Sequence, residues 1–559
     1  MYIILKMNGQ PTYNNNNFFT RRNFLIRAAL AFSSIPFIAF IINSCKPKEK
    51  VKIPGKIVGA DFSTGHKLRG VMSGTPSEIL EFKYVIVGGG VAGLSAGRWL
   101  KKNNIDSFCL LEMEEETGGN SISGKNSVSS YPWGAHYLPI PNNDFPDLTE
   151  FLEEAKVITG YDELKRPIYN DYYLCFDPEE RLFIHGQWQE GLVPELGVPA
   201  EERKQIKDFQ TLMDKFRHAK GSDQKYAFAI PVDESSRDKE FTLLDAITMN
   251  EFLQRNNFSS TCLNWYIDYC CRDDYGTSSN STSAWAGIHY FAGRRGVAAN
   301  ADSNTVLVWP EGNAWLVKKI RTDFEKHIKS TALVYSIAEN EKGVSIDFFD
   351  RNTNTTKRIL AQKCIIASPQ FVNKRIIKGV AERDEDLYKQ FTYAPWFVAN
   401  ITVNGLSQRR GAPLSWDNVF YESKSLGYVN ANQQDLETVE SKRVLTYYYP
   451  LCENDPVTER QKALGKKHEE WMDIMLKDLS KAHKGIEEQI ESVDVWVWGH
   501  GMIRPLPGFI FGEARQQALK PVNNKLFFAH SDLSGISIFE EAFYQGIRAA
   551  KELLNSNQS

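Results

Sequence analysis

No two of the eight cysteines, at 45, 109, 175, 262, 270, 271, 364 and 452, stand in a C-x-x-C pair. Zinc ribbons and thioredoxin-like redox chemistry both need that spacing, so neither is expected, and most of these thiols read as small buried hydrophobes. Adjacent Cys270 and Cys271 are read the same way, because neighbouring cysteines bridge only under strain. A surplus of positive charge is also missing. The net charge is −3, and Lys6, Arg21, Arg22 and Arg27 are the only charged residues among the first 45, which leaves −7 on the rest of the chain. An acidic body argues against nucleic acid as a partner. The apolar stretch Ala28–Ile42 has 15 residues, short of the ~20 that span a membrane. No internal repeat is visible, which argues against a solenoid.

The composition that remains, 42% hydrophobic and 24% charged with 12 Trp and 33 Phe, is that of a globular enzyme. With 559 residues the chain exceeds the ~250–300 at which single cores stop growing. Two intertwined domains with room for an enclosed cofactor are therefore expected.

The N-terminus reads as an address. Arg21-Arg22 precede the apolar stretch, and Ile42-Asn43-Ser44-Cys45 follows it, which resembles a twin-arginine signal ending in a bacterial lipobox. Residues 1–45 are then a signal, with Cys45 as the lipidation site, and 46–80 a tether. The alternative is an uncleaved anchor. Either way the body is expected outside the cytoplasm, in the periplasm or cell envelope, held to a membrane. Twin-arginine export carries folded proteins, which suits an enzyme that must acquire a cofactor before it leaves.

Tyr84-Val85-Ile86-Val87 is a short apolar run, as in a parallel strand buried on both faces. Gly88-Gly89-Gly90-Val91-Ala92-Gly93 follows at once. Gly88 permits a tight turn, Gly90 lets backbone approach a pyrophosphate, and Gly93 lets the next helix pack on the strand. A helix to Lys102 and a strand at 107–111 lead to Glu112, 24 residues after Gly88. That spacing is close to the ~20 expected of the acid that binds the adenosine ribose, and an acid there disfavours a 2′-phosphate.

Further segments resemble the flavin amine oxidase superfamily. Gly118-Gly119 resembles its second glycine pair, although Asn120 stands where most members have Arg. Tyr131-Pro132-Trp133-Gly134-Ala135-His136-Tyr137 resembles the segment that passes the isoalloxazine ring. Trp309-Pro310-Glu311-Gly312-Asn313 is similar to the stretch that reopens the flavin domain. The strand 332–337 would offer backbone to adenine at Val334. Phe528-Ala529-His530-Ser531-Asp532 and the helix near Phe539 look like the final strand, acidic flavin contact and last helix, with His530 in place of the usual glycine.

The resemblance implies an α/β fold, a Rossmann-type FAD-binding domain (81–140, 301–374 and 496–559) with an interleaved α+β substrate-binding domain. The latter comprises a helical substrate and lid region at 141–300 and a sheet with helices at 375–495. FAD is the implied cofactor, held by Gly88, Gly90, Gly93, Glu112, Gly118, Gly119, Gly134, Ala135, His136, Val334, Asp532 and Phe539, without covalent attachment and without a metal. His136, Trp498 and His500 are the catalytic-side candidates.

The implied reaction is oxidation of an amine or polyamine C–N bond by hydride transfer to flavin N5, with electrons passed to a quinone, a cytochrome or oxygen. Such chemistry asks for positioning and a deprotonated amine more than for acid–base residues. An aromatic partner expected at Ile538 is lacking, which separates the chain from typical monoamine oxidases, while the Ala529-His530-Ser531-Asp532 ending resembles periplasmic spermidine-dehydrogenase-like members. Arg272-Asp273-Asp274 is read as a helix-end ion pair or as a cation-binding acid pair in a substrate tunnel. His289 is read as a core histidine or a ring neighbour. Two rivals remain: a desaturase or isomerase acting on a lipid, favoured by a long apolar tunnel without acids, and a non-catalytic flavin-binding lipoprotein.

Overall fold

Tyr84 and Ile86 point to one side of their strand and Val85 and Val87 to the other, and the two sets enter different cores, as the two-residue period of a strand requires. This strand, Glu78–Val87, is central in a seven-stranded sheet that a computed structural model describes together with residues 52–380, 383–435 and 441–556 of the chain. It pairs in parallel with Phe108–Leu111 on one side and with Thr355–Ile366 on the other. One face is covered by the helices Val91–Lys102, Ala314–Arg321 and Phe539–Asn555, the other by Gln370–Ile376 and Glu513–Leu519.

Thr355–Ile366 is one strand of 12 residues, whose first half pairs with Gly343–Asp350 and whose second half pairs with Leu526–Phe528. Burial switches along it from alternating to continuous, so a single element serves as hairpin and as buried sheet.

A second sheet has eight strands, with Tyr393–Asn404 between Ile490–Ile503 and Lys442–Pro450. Phe397, Ala399, Ile401 and Val403 face the helices Pro456–Gly465 and His468–Ala482, while Trp396 and Val398 face the other way. Both faces are covered, so Tyr393–Val403 is buried throughout. The strand Ile490–Ile503 runs past residue 495 and belongs to this sheet over its whole length.

Helices Ala200–His218, Thr261–Tyr275 and Ala284–Ala292 form a third body of packing. The signal expected at 1–45, with Cys45, lies outside the described residues. The stretch expected as a tether is described from residue 52, and there it is docked: Ile57–Val58 pairs with Val495 and Trp496, and Asp61 is ion-paired with Arg351. No helix among the described residues is long and apolar enough to cross a membrane.

Candidate cofactor and substrate site

The glycine loop closes on itself. A Cβ on Gly93 would lie 1.9 Å from the Gly88 carbonyl oxygen, so the helix rests directly on the turn, and Gly88 has φ +108°. Glu112 Oε2 accepts the Gly89 N–H at 2.6 Å and Oε1 accepts the Glu114 N–H at 2.8 Å. Burial pushes the Glu112 carboxyl up from its ordinary range, and those two donors pull against that shift. Gly118 N–H donates to Gly89 O at 2.8 Å, and a Cβ on Gly119 would come within 3.3 Å of Gly90 Cα.

Where the two glycine segments meet, a Cβ on Gly90 would touch nothing within 4 Å. Bare backbone thus borders open space at the N-terminus of the helix Val91–Lys102, where N–H groups and the dipole favour an anion. A pyrophosphate fits that cradle. Ala332 N–H donates to Glu112 O, which places the strand carrying Val334 beside Glu112, the acid expected at the ribose. Asp532 is buried, and its carboxylate is engaged by protein: Oδ2 accepts from Tyr393 Oη at 2.5 Å and Gln370 N–H at 3.0 Å, and Oδ1 lies 2.9 Å from His530 Nδ1.

A cavity open to solvent at its mouth lies between the second sheet and the loops and last helix of the dinucleotide half. Gly134, Ala135, His136, Trp498 and Phe539 line it, so these sequence-predicted residues come together. Ile538 caps the last helix and lines the same space, and the helix N-terminus therefore points at it. Aromatic rings wall the rest. His136 stacks on Tyr448 at 4.6 Å, and Trp498 Nε1 donates to Trp133 O at 2.7 Å. Burial lowers the His136 pKa to about 4, so the ring is neutral near pH 7. His500 is not part of this wall. It stacks on Phe371 at 4.1 Å and meets Tyr393 edge-on, and burial with nearby Arg460 lowers its pKa to about 3.

Four carboxylates also line the cavity: Asp273, Asp274, Asp417 and Glu540. Arg294 donates twice to Asp274, at 3.0 and 2.9 Å. Burial and like charge push Asp273 and Glu540 up to about 7 and Asp417 well above the carboxylate range. Arg272 turns away, to Asp268 at 2.9 Å and Lys424 O at 2.7 Å. The adjacent acids therefore part from their arginine, which is ion-paired within its helix, and line the cavity. His289 is a core residue, bonded to Ala229 O at 2.9 Å and stacked on Trp285. Cys270 and Cys271 are buried free thiols.

Asp417, Tyr448 and Arg294 escaped sequence reading. Asp417 and Tyr448 sit on strands that pair only in the fold, and Arg294 lies in a loop after a helix, so no local spacing announces any of them.

Residues 86–155 match the model of an NAD(P)-binding Rossmann-like domain. No curated protein matches the chain. Among solved structures, wild-type putrescine oxidase bound to putrescine is similar with TM-score 0.63 at 15% identity, covering 85% of this chain and 100% of its own. Cyclohexylamine oxidase from Brevibacterium oxydans IH-35A is similar with TM-score 0.60 at 14% identity, covering 86% and 100%. A CLA-producing fatty acid isomerase from P. acnes is similar with TM-score 0.58 at 14% identity, covering 84% and 98%. The chain thus has an NAD(P)-binding Rossmann-like domain within a mixed α/β fold that two amine oxidases and a fatty acid isomerase share.

Proposed function

We propose that the protein is an FAD-dependent oxidoreductase that oxidises the C–N bond of a small amine or polyamine. FAD, when bound, supplies the hydride acceptor at flavin N5. The observation that carries the reading is the acid content of the cavity: four carboxyl groups line it against the single guanidinium of Arg294. A fatty acid would add a further carboxyl group with no cation left to pair it, since Arg294 is committed to Asp274, whereas an ammonium favours the ionised forms of these acids and pairs with them. The structural neighbours include both chemistries, and the acid-lined wall supports the amine reading.

The cavity's other lining residues support the same chemistry. Trp396, Val398, Tyr448 and Trp498 offer an apolar, aromatic surface, and desolvation there lowers an ammonium pKa toward the neutral amine that hydride loss requires. Neutral His136 adds no competing positive charge. The N-terminus of the helix Phe539–Asn555 supplies a favourable field for negative charge on a reduced ring.

Export as a lipid-anchored protein, with a quinone or cytochrome as electron acceptor, extends this reading. It is supported by Arg21-Arg22 ahead of the apolar stretch and by Ile42-Asn43-Ser44-Cys45 after it. Metabolic labelling with a lipid precursor tests the anchor: wild type is expected to carry label and Cys45→Ala none.

The function is tested by loading the full chain with FAD and titrating it anaerobically with monoamines, polyamines, amino acids and unsaturated fatty acids. Bleaching of the flavin band by amines is the expected result. Failure to bind FAD, or a change driven by fatty acids alone, refutes the reading.

A further inference from the structure

Residues 46–74 hold seven Lys or Arg against Glu49 and Asp61, a net +5 in a chain whose net charge is −3. The docked segment brings part of that charge together with cations from elsewhere in the chain. Arg69 Nη2 lies 2.8 Å from His66 Nε2, and burial, with Arg69 and Arg375 near, lowers the His66 pKa. Val71, Arg375 and Lys378 line one depression at the edge of the dinucleotide sheet, beside Tyr335 and Ser336 of the edge strand. Among the described residues Arg351, Lys357 and Arg358 are ion-paired, whereas Lys56, Lys67, Arg69, Arg375 and Lys378 have no carboxylate within ion-pair distance.

Apolar side chains stand out among these cations. Val71 is 96% exposed, and Phe62, whose ring centroid is 5.5 Å from that of His66, is 59% exposed. Ile79, also 59% exposed, is in register with Arg358, which lines the depression with Val71. Of the twelve exposed large apolar side chains among the described residues, four fall within residues 57–79, so they form a group rather than the scattered single side chains that need no partner. Apolar groups rimmed by Lys and Arg suit the interface of an anionic bilayer, where rings and methyls enter and cations stay at the headgroups. The course of the chain favours the same partner. Cys45 is eight residues before Ile53, a reach of at most about 29 Å, whereas a body of about 500 residues is roughly 60 Å across. A body held at Cys45 therefore meets the bilayer on the side from which this segment starts.

We propose that Phe62, Lys67, Arg69, Val71, Arg375 and Lys378 form a face that rests on an anionic lipid surface. The anchor at Cys45 then limits how far the enzyme stands from the bilayer, and this face sets its orientation. The proposal rests on the lipidation of Cys45 and is independent of which substrate the cavity takes. Headgroup charge acts on these cations only within a Debye length of about 8 Å, so the face contributes only while it lies against the membrane.

The test uses the lipidated, FAD-loaded chain as purified from membranes, reconstituted in vesicles that carry a photoreactive phospholipid. One set of vesicles is phosphatidylcholine alone and the other phosphatidylcholine mixed with phosphatidylglycerol, and cross-linked peptides are mapped by mass spectrometry. Peptides holding Phe62 and Val71 are expected to be labelled in the anionic vesicles, well above peptides holding Leu243 and Leu464, which are exposed elsewhere. Each cation at an anionic surface contributes a factor of about five, so Lys67→Gln with Arg69→Gln is expected to lower that labelling several-fold while flavin content and Tm hold. Val71→Asp, at a side chain with almost no packing to lose, is the second variant should the first fail to accumulate. Equal labelling of all four peptides, or labelling unmoved by phosphatidylglycerol and by the variants, overturns the face and leaves the anchor standing. Cross-links from this face to a second copy in place of lipid also overturn it. A mature chain without lipid on Cys45 overturns the anchor and the proposal with it.

Discussion

Gly90 and Gly93 lie three residues apart, yet alanine is expected to act on them through unrelated physics. At Gly90 the backbone has φ −71° and ψ 178°, open to any residue, and a Cβ would meet nothing within 4 Å. Replacing an N-cap glycine by alanine costs roughly 0.5–1 kcal/mol. Reduced freedom of the unfolded chain returns roughly 0.4–1 kcal/mol, so Gly90→Ala should leave the apoprotein within about 0.5 kcal/mol of wild type. The new methyl does, however, occupy the space over the bare loop where a pyrophosphate would lie. Losing one charge-assisted hydrogen bond costs about 1.5–3 kcal/mol, or roughly ten- to hundred-fold in Kd. At Gly93 the Cβ would sit 1.9 Å from Gly88 O, so Gly93→Ala must displace the helix at about 3 kcal/mol even without cofactor. Thermal melts of the apoproteins, paired with FAD titrations followed by flavin fluorescence, separate the two effects. Unchanged FAD affinity in Gly90→Ala, or an apoprotein Tm loss in Gly90→Ala equal to that of Gly93→Ala, refutes the reasoning.

Glu541 is fully buried, accepts the Val232 N–H at 2.7 Å, and is pushed up to about 8 by burial. The unfolded chain releases this proton near 4.5 and the folded one near 8, so the folded state binds more protons between those values and stability falls as pH rises, by about 1.4 kcal/mol per unit at the steepest. Glu541→Gln should flatten the dependence of Tm on pH between 5 and 8; an unchanged slope assigns that dependence elsewhere. Arg294→Met strands the buried carboxylate of Asp274, and a stability loss of about 3–5 kcal/mol is expected in urea unfolding; a loss below 1 kcal/mol contradicts the ion-pair account. Trp498 lines the cavity and His500 does not. Single-turnover flavin reduction should therefore slow about ten-fold or more in Trp498→Ala and less in His500→Asn, whose main effect should be on Tm, and the reverse order would return His500 to the site.

Local chemistry made the dinucleotide half legible. The β-branched run, the glycines and Glu112 all act within thirty residues, where turn geometry, close approach and strand length leave few alternatives. The docked segment from residue 52 was not legible, because Lys and Gly composition reads as tether whether or not a neighbouring strand is there to pair with Ile57–Val58. Trp498 and His500 are two residues apart on one strand, but the register shift between Trp498 and Met502 breaks the strand's alternation, so spacing alone does not reveal which ring meets the cavity.

The sequence alone determined that a strand, a glycine turn, a helix and an acid would form a nucleotide-binding unit, since each step depends on residues near in the chain. Only the tertiary structure decided what lines the cavity. Asp273 comes from a helix, Asp417 and Tyr448 from different strands, and Asn313 from a helix cap far from all three. The charge of the cavity is a sum over elements that meet only when both sheets are assembled, and burial rather than residue type sets the protonation of its acids.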